Sequence, residues 1–318
     1  MMPGLQIRPP PVSRFLALLG FLCSLSMQSQ AAETLPLPDP AAPGRLVSVG
    51  QHRLHLYCSG SGSPTVLLEA GMGGNHLDWI RVQPEVAKTT RVCSYDRAGY
   101  GWSEPGPKPR TAERISAELD ALLHNAEIDG PLVLVGHSFG GMLSLYHAGR
   151  YADRVAGLVL VDSMHPKQFD RFEEAGIEVP AEPTRGIIHS SRDMITYGIP
   201  QAYKALAVEL AERDSARAAL FDEMRNVRLS LAQAGASTVA AGLRTEVILH
   251  GWRKWDRIYP DGRMENLWIR LQAELAERIG ARRLVVATKS SHQVPLEAPE
   301  LVTKMILAVI RDVRTGLH

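Results

Sequence analysis

VLVGHSFGGM, Val133 to Met142, decides how the rest of the chain is read. A short apolar run breaks on Ser138, which is flanked by glycines, and then passes into a helical pattern, GGMLSLYHAGRYA. Residues 136–140 fit G-x-S-x-G, with a strand expected before the serine and a helix after it. A serine at so sharp a turn takes a strained backbone conformation, tolerable only where its neighbours lack side chains. The turn lifts the hydroxyl clear of the sheet edge, and the helix that follows points its N-terminus at any negative charge forming there. A glycine-rich turn with an idle serine is the plainer alternative. The strand and helix around the pentapeptide favour a catalytic Ser138.

Working outward, TVLLEAG, RVCSYD, PLVLVGHS, AGLVLVD, TEVILHG and RRLVVATK read as short apolar strands. RTAERISAELDALLHNAEI, MENLWIRLQAELAERIG and PELVTKMILAVIRDV carry apolar residues three and four apart and read as helices between or after them. RLVSV and HRLHLY, around Gly50-Gln51, read as a β-hairpin. Strands alternating with helices predict an α/β fold with a mostly parallel sheet covered on both faces. The alternation lapses over 166–243, where only helical stretches such as QAYKALAVELAERDSARAALFDEM occur. The expected organisation is therefore a core of 45–165 and 244–318 interrupted by a helical insertion at 166–243. Within the insertion, Ala202, Leu206 and Leu210 are expected to pack on the core, and Met194, Tyr197 and Phe221 to be free to face a ligand.

The bulk numbers suit one globular domain: 318 residues, 45% hydrophobic, 22% charged, with a formal net charge of +1. That balance gives no basic excess of the kind nucleic-acid binding needs. Arg8 and Arg14 precede FLALLGFLCSLSM, with SQA at Ser29 to Ala31, the layout of a cleaved secretory signal over 1–31. The apolar stretch is too short to span a bilayer. A proline-rich lead-in over 32–44 follows, and the mature chain is expected to be periplasmic or secreted. Cys58 and Cys93 then remain. There is no C-x-x-C and no H-E-x-x-H, so neither a metal nor another cofactor is expected.

A serine hydroxyl needs a base, and the base an orienting acid. His137 adjoins the serine and is poorly placed, since side chains at such a turn diverge. His292, in the polar loop KSSHQVPLEAPELV after the last strand, should stand at the carboxyl ends of the strands, on the same edge as Ser138. Two acids compete. Asp162 ends the strand next after the serine's helix, and Asp256 follows the later strand in a tryptophan-containing loop. Asp162 is favoured because it falls beside the serine's strand. For an oxyanion, the backbone N–H of Phe139 should be one donor and that of Met72, in the turn Gly71-Met72-Gly73-Gly74, the other. No phosphate-loop pattern occurs in that turn.

Taken together, YDRAGYGWS (Tyr95 to Ser103), GHSFGG, VLVDSMHP and SHQVPLEAPELV resemble the α/β-hydrolase superfamily, in its serine-nucleophile branch with a helical cap. The resemblance covers essentially everything after residue 45. It implies an eight-stranded sheet with the cap inserted after the sixth strand, Ser138 as nucleophile, His292 as base, and Met72 and Phe139 as oxyanion donors. Two departures stand out: Ala70-Gly71 replaces the usual His-Gly, and HGWRK after the seventh strand holds no acid. The second favours Asp162, because some capped relatives place the acid at the end of the sixth strand. The sheet order so implied sets HRLHLYC antiparallel to RVCSYD, with Cys58 and Cys93 at the same end, as a disulfide or as two buried thiols. The expected activity is hydrolysis of a small acyl substrate, with ester, thioester, lactone and small amide all open. The apolar cap leans towards an apolar acyl group. An acyltransferase sharing the acyl-enzyme and a non-catalytic ligand receptor are the alternatives.

Overall fold

The computed structural model describes residues 42–178, 195–257 and 259–316. Its eight strands are β1 (Arg45–Ser48), β2 (Arg53–Ser59), β3 (Thr65–Glu69), β4 (Val92–Tyr95), β5 (Leu132–His137), β6 (Val155–Val161), β7 (Arg244–His250) and β8 (Leu284–Ala287). They form one sheet in the order β1-β2-β4-β3-β5-β6-β7-β8. Pairing is antiparallel at β1–β2 and β2–β4 and parallel everywhere else. The mostly parallel sheet expected from the alternation is observed, with the eight strands that the resemblance implied.

Its central strands are buried along their whole length, which is why they read as unbroken apolar runs rather than as alternating ones. The alternation is instead one of size. In β5 and β6, Leu132, Leu134, Leu158 and Leu160 face one side of the sheet, and Val133, Val135, Val159 and Val161 face the other. The leucine side is covered by α2 (Ala112–Asn125), through Leu119, Leu122 and Leu123. The valine side is covered by α10 (Pro299–Thr315), through Val302, Ile306 and Val309. Thr111 caps α2 by accepting the N–H of Arg114, so the helix starts two residues inside the predicted RTAERIS run. Between these elements lie α1 (Gln83–Ala87) and α3 (Phe139–Arg150).

From β6 to β7 the described residues hold α4 (Gln168–Glu174), α5 (Lys204–Glu212), α6 (Asp214–Arg225) and α7 (Val227–Ala236), and no strand. After β7 come α8 (Arg263–Arg278) and α9 (Val294–Glu297). One packing expectation in the insertion is corrected. Leu210 is buried and Leu206 packs beside it, but Ala202 is exposed. Ala202 lies in the 3-10 turn Gln201–Tyr203 ahead of α5, where helical spacing does not yet hold, so Tyr203 and Ala207 take the buried places. Met194 and the proposed signal over 1–31 lie outside the described residues. Among those described, no helix is long and apolar enough to cross a membrane.

Cys58 and Cys93 stand directly opposite each other in the β2–β4 register, with Cα atoms 4.0 Å apart, and are joined as a disulfide. Of the two alternatives left open by the sequence, the bonded form is the one present.

Candidate active site

Ser138 joins β5 to α3 with φ 54° and ψ −119°, a left-handed conformation that a side-chain-bearing residue rarely holds. The turn is possible because of its glycines. A Cβ on Gly136 would lie 2.3 Å from the carbonyl oxygen of Gly140, and one on Gly140 would lie 2.4 Å from those of Glu69 and Ala70. The Ser138 N–H donates to the carbonyl of Val161, which ties the turn to the end of the neighbouring strand.

Parallel pairing brings the other two side chains to the same edge. Asp162 follows β6, also at a positive φ of 45°, and its N–H donates to Ile248 of β7 at 2.7 Å. His292 lies in the loop between β8 and α9. Its Nδ1 is 2.6 Å from Asp162 Oδ2, and its Nε2 is 2.9 Å from Ser138 Oγ. A carboxylate can only accept, so Nδ1 carries the proton, and in the neutral ring Nε2 is left as the acceptor of the serine hydroxyl. Asp256 is not part of this chain: it pairs with Arg253 at 2.7 Å on the protein surface. His137 is buried, and its Nε2 donates to the His292 carbonyl at 2.7 Å. Burial, with the charge of His292, pushes His137 down to about 3, so it is a neutral strut for the loop.

A second histidine, unforeseen in the sequence, sits on the same acid. His250, the last residue of β7, places Nδ1 2.6 Å from Asp162 Oδ2 and Nε2 2.8 Å from Glu265 Oε1. With a carboxylate on each side, both nitrogens donate, and the ring is an imidazolium. Burial opposes that charge, but the hydrogen bonds it donates to Asp162 and Glu265 outweigh it and push His250 up to about 9. Asp162 also accepts the His250 N–H and, at 2.9 Å, the indole N–H of Trp268. Burial alone would raise the Asp162 pKa. The hydrogen bonds from His250 and His292 win, and hold the carboxyl well below the usual carboxylate range. Glu265, Trp268 and Gln272, spaced three and four apart on α8, present one helical face to this acid, with Gln272 donating to the Ser163 carbonyl. Asp162, His250 and His292 are close enough together to ligate one cation, as are His55, His76 and Asp96. In both groups the carboxylate oxygens already accept imidazole N–H groups.

The turn after β3 faces the serine. Among the described residues, the N–H groups of Met72 and Phe139 donate to no other protein group. Arg97 fixes the peptide that carries the first of them. Its Nη2 donates to the Gly71 carbonyl at 2.8 Å and its Nη1 to the Ala70 carbonyl at 2.7 Å. In a trans peptide C=O and N–H point opposite ways, so a cation on the Gly71 oxygen both orients and polarises the Met72 N–H. Arg97 is itself buried between Glu69 of β3 and Glu223 of α6.

Residues 64–185 match the family model for the alpha/beta hydrolase fold. Over that stretch, and in the strand order of its sheet, the chain has the α/β-hydrolase fold. Solved structures of similar architecture include the enol-lactonase of Burkholderia xenovorans, at TM-score 0.61 and 20% identity over 84% of this chain and all (100%) of that one. A Vigna radiata epoxide hydrolase aligns at TM-score 0.61 and 17% identity over 84% and 98%. At these identities the likeness is one of fold alone. Among curated proteins, the chain is 26% identical over 271 residues to the dihydrolipoyllysine-residue acetyltransferase component of the acetoin cleaving system of Pseudomonas putida, covering 79% of this chain and 65% of that one. It is 33% identical over 153 residues to a Schizosaccharomyces pombe protein, covering 39% and 29%. The chain thus spans less than two thirds of the length of these relatives.

The serine opens into a cavity at the carboxyl ends of the strands. It measures about 360 Å³, with Ser138 and His292 on its floor and Tyr197, Ile199, Leu220, Met224 and Leu296 among its walls. Tyr197 therefore faces the site. Phe221 does not line it; its ring lies under the Arg225 guanidinium. Leu220 and Met224, one position before it and three after, reach inside from α6, as do Ala216 and Arg217.

Proposed function

We propose that the protein is a serine hydrolase that cleaves a carboxylic ester, or a related small acyl substrate, through an acyl-enzyme on Ser138. The observation that carries this reading is the unbroken hydrogen-bonded series Ser138–His292–Asp162, with Ser138 and His292 lining a cavity. Ser138 Oγ attacks the carbonyl carbon as His292 Nε2 takes its proton. The C–O bond to the alcohol breaks as His292 returns that proton to the leaving oxygen. Water, deprotonated by the same nitrogen, then attacks the acyl-enzyme and releases the acid, restoring the serine. The Met72 and Phe139 N–H groups receive the negative charge on the former carbonyl oxygen. Loss of one such donor typically costs about 10²–10³ in kcat.

A tagged fluorophosphonate tests this without knowledge of the substrate. The wild type should label, Ser138→Ala should not, and Asp162→Asn should label far more slowly with its circular dichroism unchanged. A folded wild type that takes no label would refute the reading and favour a ligand receptor on the same fold. Product analysis with added alcohol distinguishes hydrolysis from acyl transfer. The latter is raised by the acetyltransferase name of one relative. Export through a cleaved N-terminal signal belongs to the same proposal, supported by the Cys58–Cys93 disulfide, a bond that persists in oxidising compartments.

A further inference from the structure

The cavity around Ser138 has a mixed lining, apolar side chains beside Asn75, Tyr100 and Gln293, and it holds one carboxylate outside the Ser138–His292–Asp162 series. Asp78, in the 3-10 turn His76–Trp79 that follows the oxyanion turn, lines the cavity alongside Ser138. Its backbone N–H is spent on the Asn75 carbonyl, and among the described residues its carboxylate accepts no hydrogen bond and joins no ion pair. The other carboxylates nearby differ in this. Asp96 is held by His55 and His76, Glu69 by Arg97, and Glu223 by Arg97 and Tyr100. Arg217, the other charged side chain of the cavity wall apart from the histidines, is exposed to water at its rim and needs no partner.

The room for this carboxylate comes from the glycine turn. A Cβ on Gly74 would lie 2.0 Å from Asp78 Oδ2, so any other residue there would displace it. Burial pushes the Asp78 carboxyl up to about 7, against the opposing charge of Arg97. Asp78 is half-buried, and a carboxylate drawn partly out of water without a partner carries part of the cost of about 1–3 kcal/mol that a fully buried unpaired polar group would. In a substrate cavity, that deficit is removed when a ligand supplies the donor.

We propose that Asp78 is the specificity-determining residue of this cavity, and that the substrate carries a hydrogen-bond donor, an ammonium or a hydroxyl, apart from its scissile carbonyl. The proposal rests on the serine-hydrolase reading above and narrows its substrate from any small acyl compound to a donor-bearing one. The apolar part of the wall, Ile199, Leu220, Met224 and Leu296, then holds the carbon chain that joins the donor to the carbonyl.

The test uses a set of fluorophosphonates of graded tail length whose tails end in an ammonium, a hydroxyl, a methoxy or a methyl group, with labelling rate as the readout. In the wild type, at one tail length, the ammonium and hydroxyl probes should label faster than the methyl and methoxy probes by about tenfold or more. Asp78→Leu should lose that preference while still labelling with the methyl probe, which shows that its site is folded. Asp78→Asn, which can still accept a hydrogen bond, should keep the hydroxyl preference and lose the ammonium one. Equal rates for all four ends at every length, a preference for methoxy, or a ranking unchanged in Asp78→Leu would overturn the proposal and leave the serine-hydrolase reading standing. No labelling by any probe would sink that reading, and this one with it.

Discussion

Asp162 has two imidazoles on a single oxygen, and only one of them also meets Ser138. His292 reaches the serine, whereas His250 reaches a second carboxylate and is locked as a cation. Its pKa is raised from 6.5 to about 9, so the stability it contributes is fully present below the unfolded value and is lost as pH rises through about 9. The amount is on the order of 3 kcal/mol. Urea unfolding of wild type and His250→Gln, compared at pH 6 and pH 10, should show a wild-type advantage at the lower pH that shrinks at the higher one. A gap independent of pH would mean that His250 is neutral in the fold. Ser138 and His292 were legible in the sequence because each sits at a predictable point, after one strand and before the last helix. His250 was not. It ends an apolar strand like any other residue, and its partner Glu265 is fifteen positions away on a separate helix.

Among the elements, size alternation in β5 and β6 assigns each strand's two faces to different covering helices, and α8 turns one face toward the acid. The disulfide acts at this scale too, joining β2, antiparallel to its neighbours, to the first parallel strand β4. It closes a loop of sequence separation 35, which in the chain-entropy account is worth about 2–4 kcal/mol. A Cys58→Ala, Cys93→Ala double variant should unfold at correspondingly lower denaturant with its fold and labelling intact. An unchanged midpoint would show that the sheet register alone holds this edge. The pairing could be foreseen only through the implied strand order, because β4 is paired with β2 across the intervening β3 in sequence.

Across the whole molecule, Arg97 links the insertion to the turn after β3. One guanidinium bonds Glu223 of α6, Glu69 of β3 and the Gly71 carbonyl, and the Tyr100 hydroxyl also donates to Glu223. Removing one member of a buried ion pair costs about 3–5 kcal/mol. Glu223→Gln should therefore lower stability and, by loosening the Met72 N–H, lower kcat more than it raises KM. A destabilised variant with wild-type kcat would show that α6 holds the fold without setting the turn. By itself the sequence determined the α/β class, the helical interruption and the chain order serine, acid, histidine, because these follow from local periodicity and from where loops must emerge in a parallel sheet. Which acid meets His292, that His250 shares it, that Asp78 stands without a partner in the cavity and that Arg97 joins core to insertion were decided only by the tertiary structure. Those contacts depend on strand register and helix rotation. Both are set by the packing of residues far apart in the chain, and no local pattern records them.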